Sequence, residues 1–351
     1  MRTLILGGGY AGLLCALRLA RRSRDEVLLV DGRASFVERV RLYATPRPLT
    51  PYARLLAGSR VRFVERRVEH VDLDARRADA LPFDRLVIAT GSCAAPPRLV
   101  GAARLLSAAT LEDAARLHAV LAARRGPRVV IGGGATGIEL AAEHRATLVT
   151  RRTLELDAAL SPAAAAYVRR HVEVVEGAAA VELTPDAVVL SDGRTLPCAV
   201  PIWAGGLVAA PIPAPGLARD ASGRAEVDAS LRSTSHPFVH VIGDAAASGL
   251  RMACATAMPT GAYVADRLAG HAEDAFRFAY VLRALALGPR RGLVQRVDAD
   301  DRPTRASGGV IAGWAKRGIL RATMLAHHLE RHAIPYVWPR GAPRALAAEA
   351  R

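Results

Sequence analysis

Two glycine-rich turns of the same pattern stand 125 positions apart in this chain. Gly7-Gly8-Gly9-Tyr10-Ala11-Gly12 follows the apolar run Leu4-Ile5-Leu6, and Gly132-Gly133-Gly134-Ala135-Thr136-Gly137 follows Val129-Val130-Ile131. Each reads as a strand, a tight turn and a helix start, the setting in which a G-x-G-x-x-G run binds a dinucleotide. The first glycine permits the turn, the second lets backbone N–H groups approach a pyrophosphate, and the third lets the helix pack closely on the strand. The helix N-terminus then turns the positive end of its dipole toward the phosphates. One such run is a weak signal. Two in one chain, each in register with a strand, predict two bound dinucleotides.

Asp31 lies 24 positions after Gly7, at the end of the apolar run Val27–Val30. That is near the spacing of about 20 at which an acidic side chain meets an adenosine ribose. In the second unit Thr150 is followed by Arg151 and Arg152, and Gly132 to Arg151 spans only 19 positions. The shorter span predicts a helix that has lost about one turn.

The elements that must position these residues alternate along the chain. The pattern predicts a strand over Arg2–Leu6, a helix over Ala11–Arg21 and a strand over Val27–Val30. Strand-like Val61–Val64 and Val68–Val71 follow, then Arg85-Leu86-Val87-Ile88 running into Ala89-Thr90-Gly91. A helix over Leu111–Ala123 leads through Gly126-Pro127 into the second unit, with a further strand over Thr147–Thr150. A meander with turns at Pro185-Asp186 and Asp192-Gly193 comes next, then a linker-like stretch over Ala209–Gly216. Val239-His240-Val241-Ile242 reads as a buried strand entering Gly243-Asp244. Proline suits the first helical position, so a helix is expected to start near Pro259 and run to about Leu268. Beyond Phe276 come short strands and one helix over Ala315–Glu330. The expected class is α/β: two Rossmann-like dinucleotide-binding domains and a smaller C-terminal α+β region. The boundaries are 1–110 with 222–270 for the first, discontinuous domain, 111–221 for the inserted second, and 271–351 for the C-terminal region.

Composition bounds the reading. The 351 residues are enough for two or three domains, and 51% are apolar. No apolar run reaches the ~18 residues of a membrane-spanning helix. A strand begins at the second residue, so no secretory leader is expected. Cys15, Cys93, Cys198 and Cys254 lie far apart in the sequence, which excludes a CxxC zinc or dithiol motif and fits a reducing, cytoplasmic setting. No metal site is expected. The formal net charge is +15, yet Lys316 is the sole lysine among 48 basic residues. Such a bias, beside abundant alanine, fits a GC-rich coding background. The charge still clusters, with 14 basic residues against 5 acidic over positions 277–351. A basic face there suits an anionic membrane surface or an acidic protein. No recognised DNA-binding motif accompanies it, so nucleic acid is not an expected partner.

In this order, GGGYAG with Asp31, Ala89-Thr90-Gly91, GGGATGIE and Val241-Ile242-Gly243-Asp244-Ala245 resemble the glutathione-reductase-like superfamily of two-dinucleotide-domain flavoproteins. Within it the chain is similar to the type II NADH dehydrogenase group and its bacterial relatives, over nearly its whole length. The resemblance implies that Gly7, Gly9, Tyr10, Ala11 and Gly12 take the FAD pyrophosphate and Asp31 its ribose. It places Val68, Thr90, Gly91 and Gly243 against FAD as well, with Asp244 on the ribityl chain and Pro259 in the helix that faces the flavin. The segment Phe36–Arg41 is similar to one that approaches FAD in bacterial relatives, and of Arg39 and Arg41 the preferred contact is Arg41. The stretch Ala286–Gln295 is similar to those relatives' C-terminal segment.

In the second unit the resemblance implies that Gly132, Gly134, Thr136 and Gly137 hold NADH or NADPH. Glu139 and Gly205, the latter in Trp203-Ala204-Gly205-Gly206, would lie near the nicotinamide. Arg151 and Arg152 resemble the NADPH pattern of thioredoxin reductases, because guanidinium groups can clamp a 2′-phosphate. Cys254 reads as a small buried residue rather than a redox centre. The implied reaction carries hydride from NAD(P)H to FAD and electrons onward to a quinone or another small acceptor. No catalytic side chain is assigned, since the cofactors do the chemistry. The alternatives are a reductase of an acidic carrier such as ferredoxin, and a flavin-bound sensor or DNA-associated flavoprotein. A peripheral contact with the inner face of the cell membrane through Ala315–Glu330 is the remaining branch. That stripe, with Ile319, Leu320, Thr323, Met324, His327 and Leu329, is equally accounted for by core packing.

Overall fold

The computed structural model describes residues 1–211, 213–272 and 275–341. Two five-stranded parallel sheets organise it. In the first, the strands run in the order Val239–Val241, Arg85–Ile88, Arg2–Leu6, Glu26–Asp31, Arg62–Glu65. In the second they run Leu106–Ser107, Val200–Trp203, Arg128–Ile131, Thr147–Thr150, Val174–Glu176. Each glycine turn leaves the central strand of its sheet at the point where the strand order reverses. Ligand crevices of open α/β sheets form there.

The strands read as near-continuous Val, Leu and Ile because both faces of these sheets are covered. Leu4, Ile5, Leu86, Val87 and Ile88 are fully buried, and so are Val130 and Leu148 in the second sheet. The first turn feeds a 13-residue helix, Tyr10–Arg22, and the second a 10-residue helix, Ala135–His144. The predicted loss of about one turn is present. It leaves Arg145 in the left-handed region, closing the shorter helix.

Sheet connections join the halves. Ser92–Ala94 pairs antiparallel with Leu207–Ala209, so the chain crosses out of the first sheet and back along a two-stranded ribbon. The expected meander is there as Ala180–Leu183, Ala187–Leu190 and Thr195–Pro197. In the linker-like stretch 209–216, Ala209 ends the ribbon strand and the other described residues carry no helix or strand; residue 212 lies outside the described residues.

Two elements differ from expectation. Val68–Val71 is not a strand; only Val71–Asp72 pairs, with Arg77–Ala78. The helix near Pro259 starts earlier, at Cys254, and runs to Leu268 with the proline inside it. In its first turn the Thr256 hydroxyl donates to the carbonyls of Arg251 and Ala253. The helix then packs so closely on the first helix that a Cβ at Gly261 would lie 2.2 Å from the Ala11 carbonyl oxygen. Such packing outweighs the cost of a proline within a helix.

The C-terminal part is a three-stranded antiparallel sheet, Leu282–Leu287, Arg291–Val297 and Pro303–Gly309, followed by the 22-residue helix Val310–Arg331. This helix contains the expected Ala315–Glu330. Leu320, Thr323 and His327 are buried against the body of the protein, so the apolar stripe read from the sequence is a packing face. No helix among the described residues is long and apolar enough to cross a membrane.

Candidate functional site

The two glycine turns are geometric copies. Gly7 and Gly132 have φ of +102° and +128°, values that L side chains rarely adopt, and a Cβ on either would strike a backbone carbonyl oxygen, of Ala89 or Ala204. Gly12 and Gly137 pack onto the turn itself, where a Cβ would lie 1.9 Å and 1.8 Å from the carbonyl oxygens of Gly7 and Gly132. Gly9 and Gly134 have nothing within 4 Å of an added Cβ. Six glycines thus divide into three reasons, repeated twice: backbone conformation, helix packing, and an open approach kept for something else. That open space is present at Gly134 of the shorter unit as at Gly9 of the longer one.

Around the first turn, Asp31 Oδ2 accepts a 2.7 Å hydrogen bond from the Gly8 amide, so the carboxylate sits at the strand end directly under the turn. Tyr52 braces the turn from below, its buried hydroxyl donating to the Gly8 carbonyl at 2.8 Å. Nothing in the sequence reading singled out Tyr52. Its partner is 44 positions away in the chain.

Asp244 lies in the short turn Gly243–Ala245, where Oδ2 accepts from the Ser92 hydroxyl at 2.6 Å. Gly243, at φ +66°, lets that turn meet the helix that carries Pro259, with its amide donating to Thr260 Oγ1 at 2.9 Å. Ser92 also receives Arg39, whose Nη1 donates to the Ser92 carbonyl at 2.7 Å. Burial pulls the Arg39 pKa down, and Asp244 works against that shift. Of the two arginines, then, Arg39 joins the Gly91–Ser92 and Asp244 cluster. Arg41 lies at the surface and pairs with Glu38 at 3.3 Å. Sequence spacing could not separate them, because both belong to one turn of 3-10 helix, Arg39–Arg41. Val68 is half-buried on the edge of the first core.

The second turn is bordered by Trp203-Ala204-Gly205-Gly206. Trp203 Nε1 donates to the Ala95 carbonyl at 2.7 Å, which ties this loop to the ribbon that joins the two halves. Thr136 lies in the first turn of the helix that follows. Glu139 is turned toward the C-terminal sheet. Its Oε1 accepts from the Ala286 amide at 3.0 Å and pairs with Lys316 Nζ at 2.8 Å. The sole lysine of the chain is therefore an inward-facing anchor. Arg151 is exposed, while Arg152 is engaged with Asp157.

The four cysteines are free, and burial pushes the thiols of Cys254 and Cys15 up, Cys15 to about 12. No group of three metal-ligating side chains is present among the described residues.

The residues fit two dinucleotides on their own geometry. The open space beside Gly9 and Gly134 leaves room for a ligand to approach the backbone of each turn. The buried hydroxyl oxygens of Tyr10 and Thr90, both beside the first cradle, find no hydrogen-bond partner in the protein. Buried polar groups are rarely left so unless a ligand or water completes them.

Fold and site together define a flavoprotein with two dinucleotide-binding units. Residues 1–261 match the family model described as pyridine nucleotide-disulphide oxidoreductase, and the chain belongs to that family. An NADH dehydrogenase-like protein of Mycobacterium tuberculosis is 29% identical over 342 residues, covering 82% of this chain and 86% of the relative. A demethylphylloquinone reductase of Synechocystis is 35% identical over 170 residues, 40% of this chain and 42% of that one. Among solved structures, NDH2 from Plasmodium falciparum in complex with NADH superposes with a TM-score of 0.76 at 12% identity, covering 95% of this chain and 97% of that chain. The protein is an FAD-dependent oxidoreductase that uses NAD(P)H, and the two-sheet architecture read from the sequence is borne out.

Proposed function

We propose that the chain passes electrons from NAD(P)H to a quinone-like acceptor, with FAD in the first cradle and the nicotinamide nucleotide in the second. FAD, when bound, supplies the switch between a two-electron donor and the acceptor. The observation that carries the reading is the pair of matched turns, each with its middle approach left open at Gly9 or Gly134.

The chain's own residues would hold and orient. The first helix N-terminus and the Gly9 amide would face the pyrophosphate, and Asp31, which already accepts from the Gly8 amide, would receive the ribose. Asp244, held by Ser92, would take a ribityl hydroxyl, with Arg39 close by. In the second unit Gly132, Gly134 and Gly137 form the cradle, and the Trp203–Gly206 loop borders it. Glu139 and Lys316 couple this unit to the C-terminal sheet.

Quinone chemistry is supported by the likeness to the demethylphylloquinone reductase of Synechocystis. A peripheral membrane contact is supported by the outward face of the last helix. Ile311, Trp314 and Leu325 are 81%, 65% and 53% exposed there, with Arg321 on the same face. An apolar stripe beside arginines suits the headgroup layer of an anionic bilayer.

Purified protein is expected to carry a flavin absorbance band that NADH or NADPH bleaches without oxygen and a short-chain quinone restores. A colourless protein that takes up no FAD would end the reading. Fast reduction of a ferredoxin, inhibited by salt, with no quinone reduction, would assign the acidic-carrier alternative instead.

A further inference from the structure

In the first unit the carboxylate beneath the turn comes from the end of the second strand, where Asp31 meets the Gly8 amide. In the second unit the corresponding strand ends in Thr150, which is fully buried, and arginines follow it. A carboxylate is nevertheless in place. Asp157, at the end of the short helix Leu154–Asp157, folds back toward the strand end. Its Oδ2 accepts from the Thr150 hydroxyl and, at 3.3 Å, from the Arg152 amide, and its Oδ1 accepts from Arg152 Nε at 2.6 Å. A Cβ added to Gly133, the counterpart of Gly8, would lie 2.1 Å from Thr150 Oγ1 and 3.2 Å from Asp157 Cβ. Both groups therefore sit under the middle of the second turn.

Burial alone would raise the Asp157 pKa. The hydrogen bonds from Thr150 and Arg152 more than reverse that and hold the carboxyl below its ordinary range. The group is an anion at neutral pH, only 16% exposed and fixed on three sides.

We propose that Asp157 sets the nucleotide preference of the second cradle, supplying from the following helix the acid that the strand end lacks, and that it selects the free ribose of NADH over the 2′-phosphate of NADPH. The inference rests on the second turn being a nicotinamide-nucleotide cradle. Two effects act together. A fixed carboxylate can accept from a ribose hydroxyl but repels a phosphate dianion. It also occupies Arg152, leaving Arg151 as a single exposed guanidinium where the sequence offered a paired clamp.

The test is the dissociation constants of NAD⁺ and NADP⁺ for the intact flavin-loaded protein, measured by calorimetry at fixed salt. The wild type is expected to favour NAD⁺. Asp157→Asn, which keeps a partner for Thr150 and removes the charge, should move the ratio toward NADP⁺ by about tenfold, the order of one removed near-surface charge. Arg152→Ala leaves the Asp157 charge unpaired and should move the ratio further toward NAD⁺, whereas a ratio that stays put would show that this carboxylate is not sensed at the 2′ position. A wild-type preference for NADP⁺, or a ratio unmoved in Asp157→Asn, overturns the proposal while leaving the cradle intact. Binding of neither nucleotide removes the cradle reading and the proposal with it. If Asp157→Asn does not fold, the Arg152→Ala result decides.

Discussion

Arg18 and Glu330, 312 positions apart in the chain, meet at 2.6 Å with their side chains 2% and 0% exposed. The arginine projects from the helix of the first dinucleotide unit, and the glutamate stands in the final turn of the helix Val310–Arg331. Asp266 takes the other arm of Arg18 at 3.1 Å, and Arg21 pairs with Glu330 at 2.7 Å. Tyr336 closes the group: its amide donates to Glu330, and its carbonyl accepts from Arg18. This network locks the C-terminal helix onto the first unit. Removing one partner of a buried pair leaves a charge without compensation, at a cost of about 3–5 kcal/mol. Arg18→Ala should therefore lower the thermal midpoint severely, and Arg21→Ala, whose side chain is more exposed, should do so much less. Equal, small shifts in both variants would show that the network holds nothing.

The same pair has a sign with pH. Burial alone would raise the Glu330 pKa, but hydrogen bonds from Arg18 and Arg21 outweigh it and leave the group below its ordinary value. A carboxyl with a depressed folded pKa gives stability that is present above the unfolded pKa and lost as pH falls through the folded one. Denaturant unfolding at pH 7 and pH 3 should show a smaller acid loss in Glu330→Gln than in wild type, from a lower starting stability.

The glycine cradles separate folding from binding. Gly9→Ala adds a methyl to open space, so the fold should hold while FAD retention falls by about tenfold or more, because the methyl stands where a pyrophosphate approaches the backbone. Gly12→Ala drives the same methyl to 1.9 Å from the Gly7 carbonyl oxygen, so it should fail to yield soluble folded protein. Circular dichroism and flavin content of the two variants, read side by side, check both halves. A Gly9→Ala protein with full flavin occupancy would remove the open approach from the assignment.

How far the sequence reached follows the range of the interactions. The turns, their strands and the shortened second helix are local patterns, and each was legible from glycine spacing and apolar runs. Pro259 was misplaced because a proline signals a helix start only when packing does not decide otherwise. Here the helix packs against Ala11 through Gly261, and it begins five residues earlier, at Cys254. The preference for Arg41 over Arg39 had no local basis, since what Arg39 reaches, Ser92 and through it Asp244, comes from distant parts of the chain. Asp157 was invisible for a related reason: it stands in for a strand-end acid from outside the fingerprint. Lys316 was noticed only as an oddity of composition, because its partner Glu139 is far from it in the chain.

Lys316 gives a direct probe of the C-terminal docking. It is the sole lysine, and its side chain is 12% exposed and held by Glu139 at 2.8 Å and by the Ala284 carbonyl at 3.0 Å. An amine-selective reagent should therefore label the N-terminus promptly and Lys316 slowly in the native protein. Glu139→Gln removes the ion pair and should speed labelling of Lys316 by about tenfold, the order expected when a pair of about 1.4 kcal/mol is lost. Prompt labelling of Lys316 in the wild type, read by peptide mass spectrometry, would count against the anchor.

His240 carries the last prediction. It lies in the strand Val239–Val241, 6% exposed, and its Nδ1 has no hydrogen-bond partner. Burial, reinforced by Arg267, Arg232 and Arg85 and opposed by Asp228, brings its pKa down to about 4. The unfolded chain takes up a proton near pH 6.5 that the native state refuses, so stability rises with pH between about 4 and 6.5. The full interval is worth about 3 kcal/mol at 1.36 kcal/mol per pKa unit. Unfolding free energies of wild type and His240→Phe, measured at pH 7 and pH 4.5, should diverge by much of that amount. The variant should lose less on acidification. If both lose the same, His240 takes up its proton in the folded protein as readily as in the unfolded chain, and the acid sensitivity of the first sheet must come from its carboxylates instead.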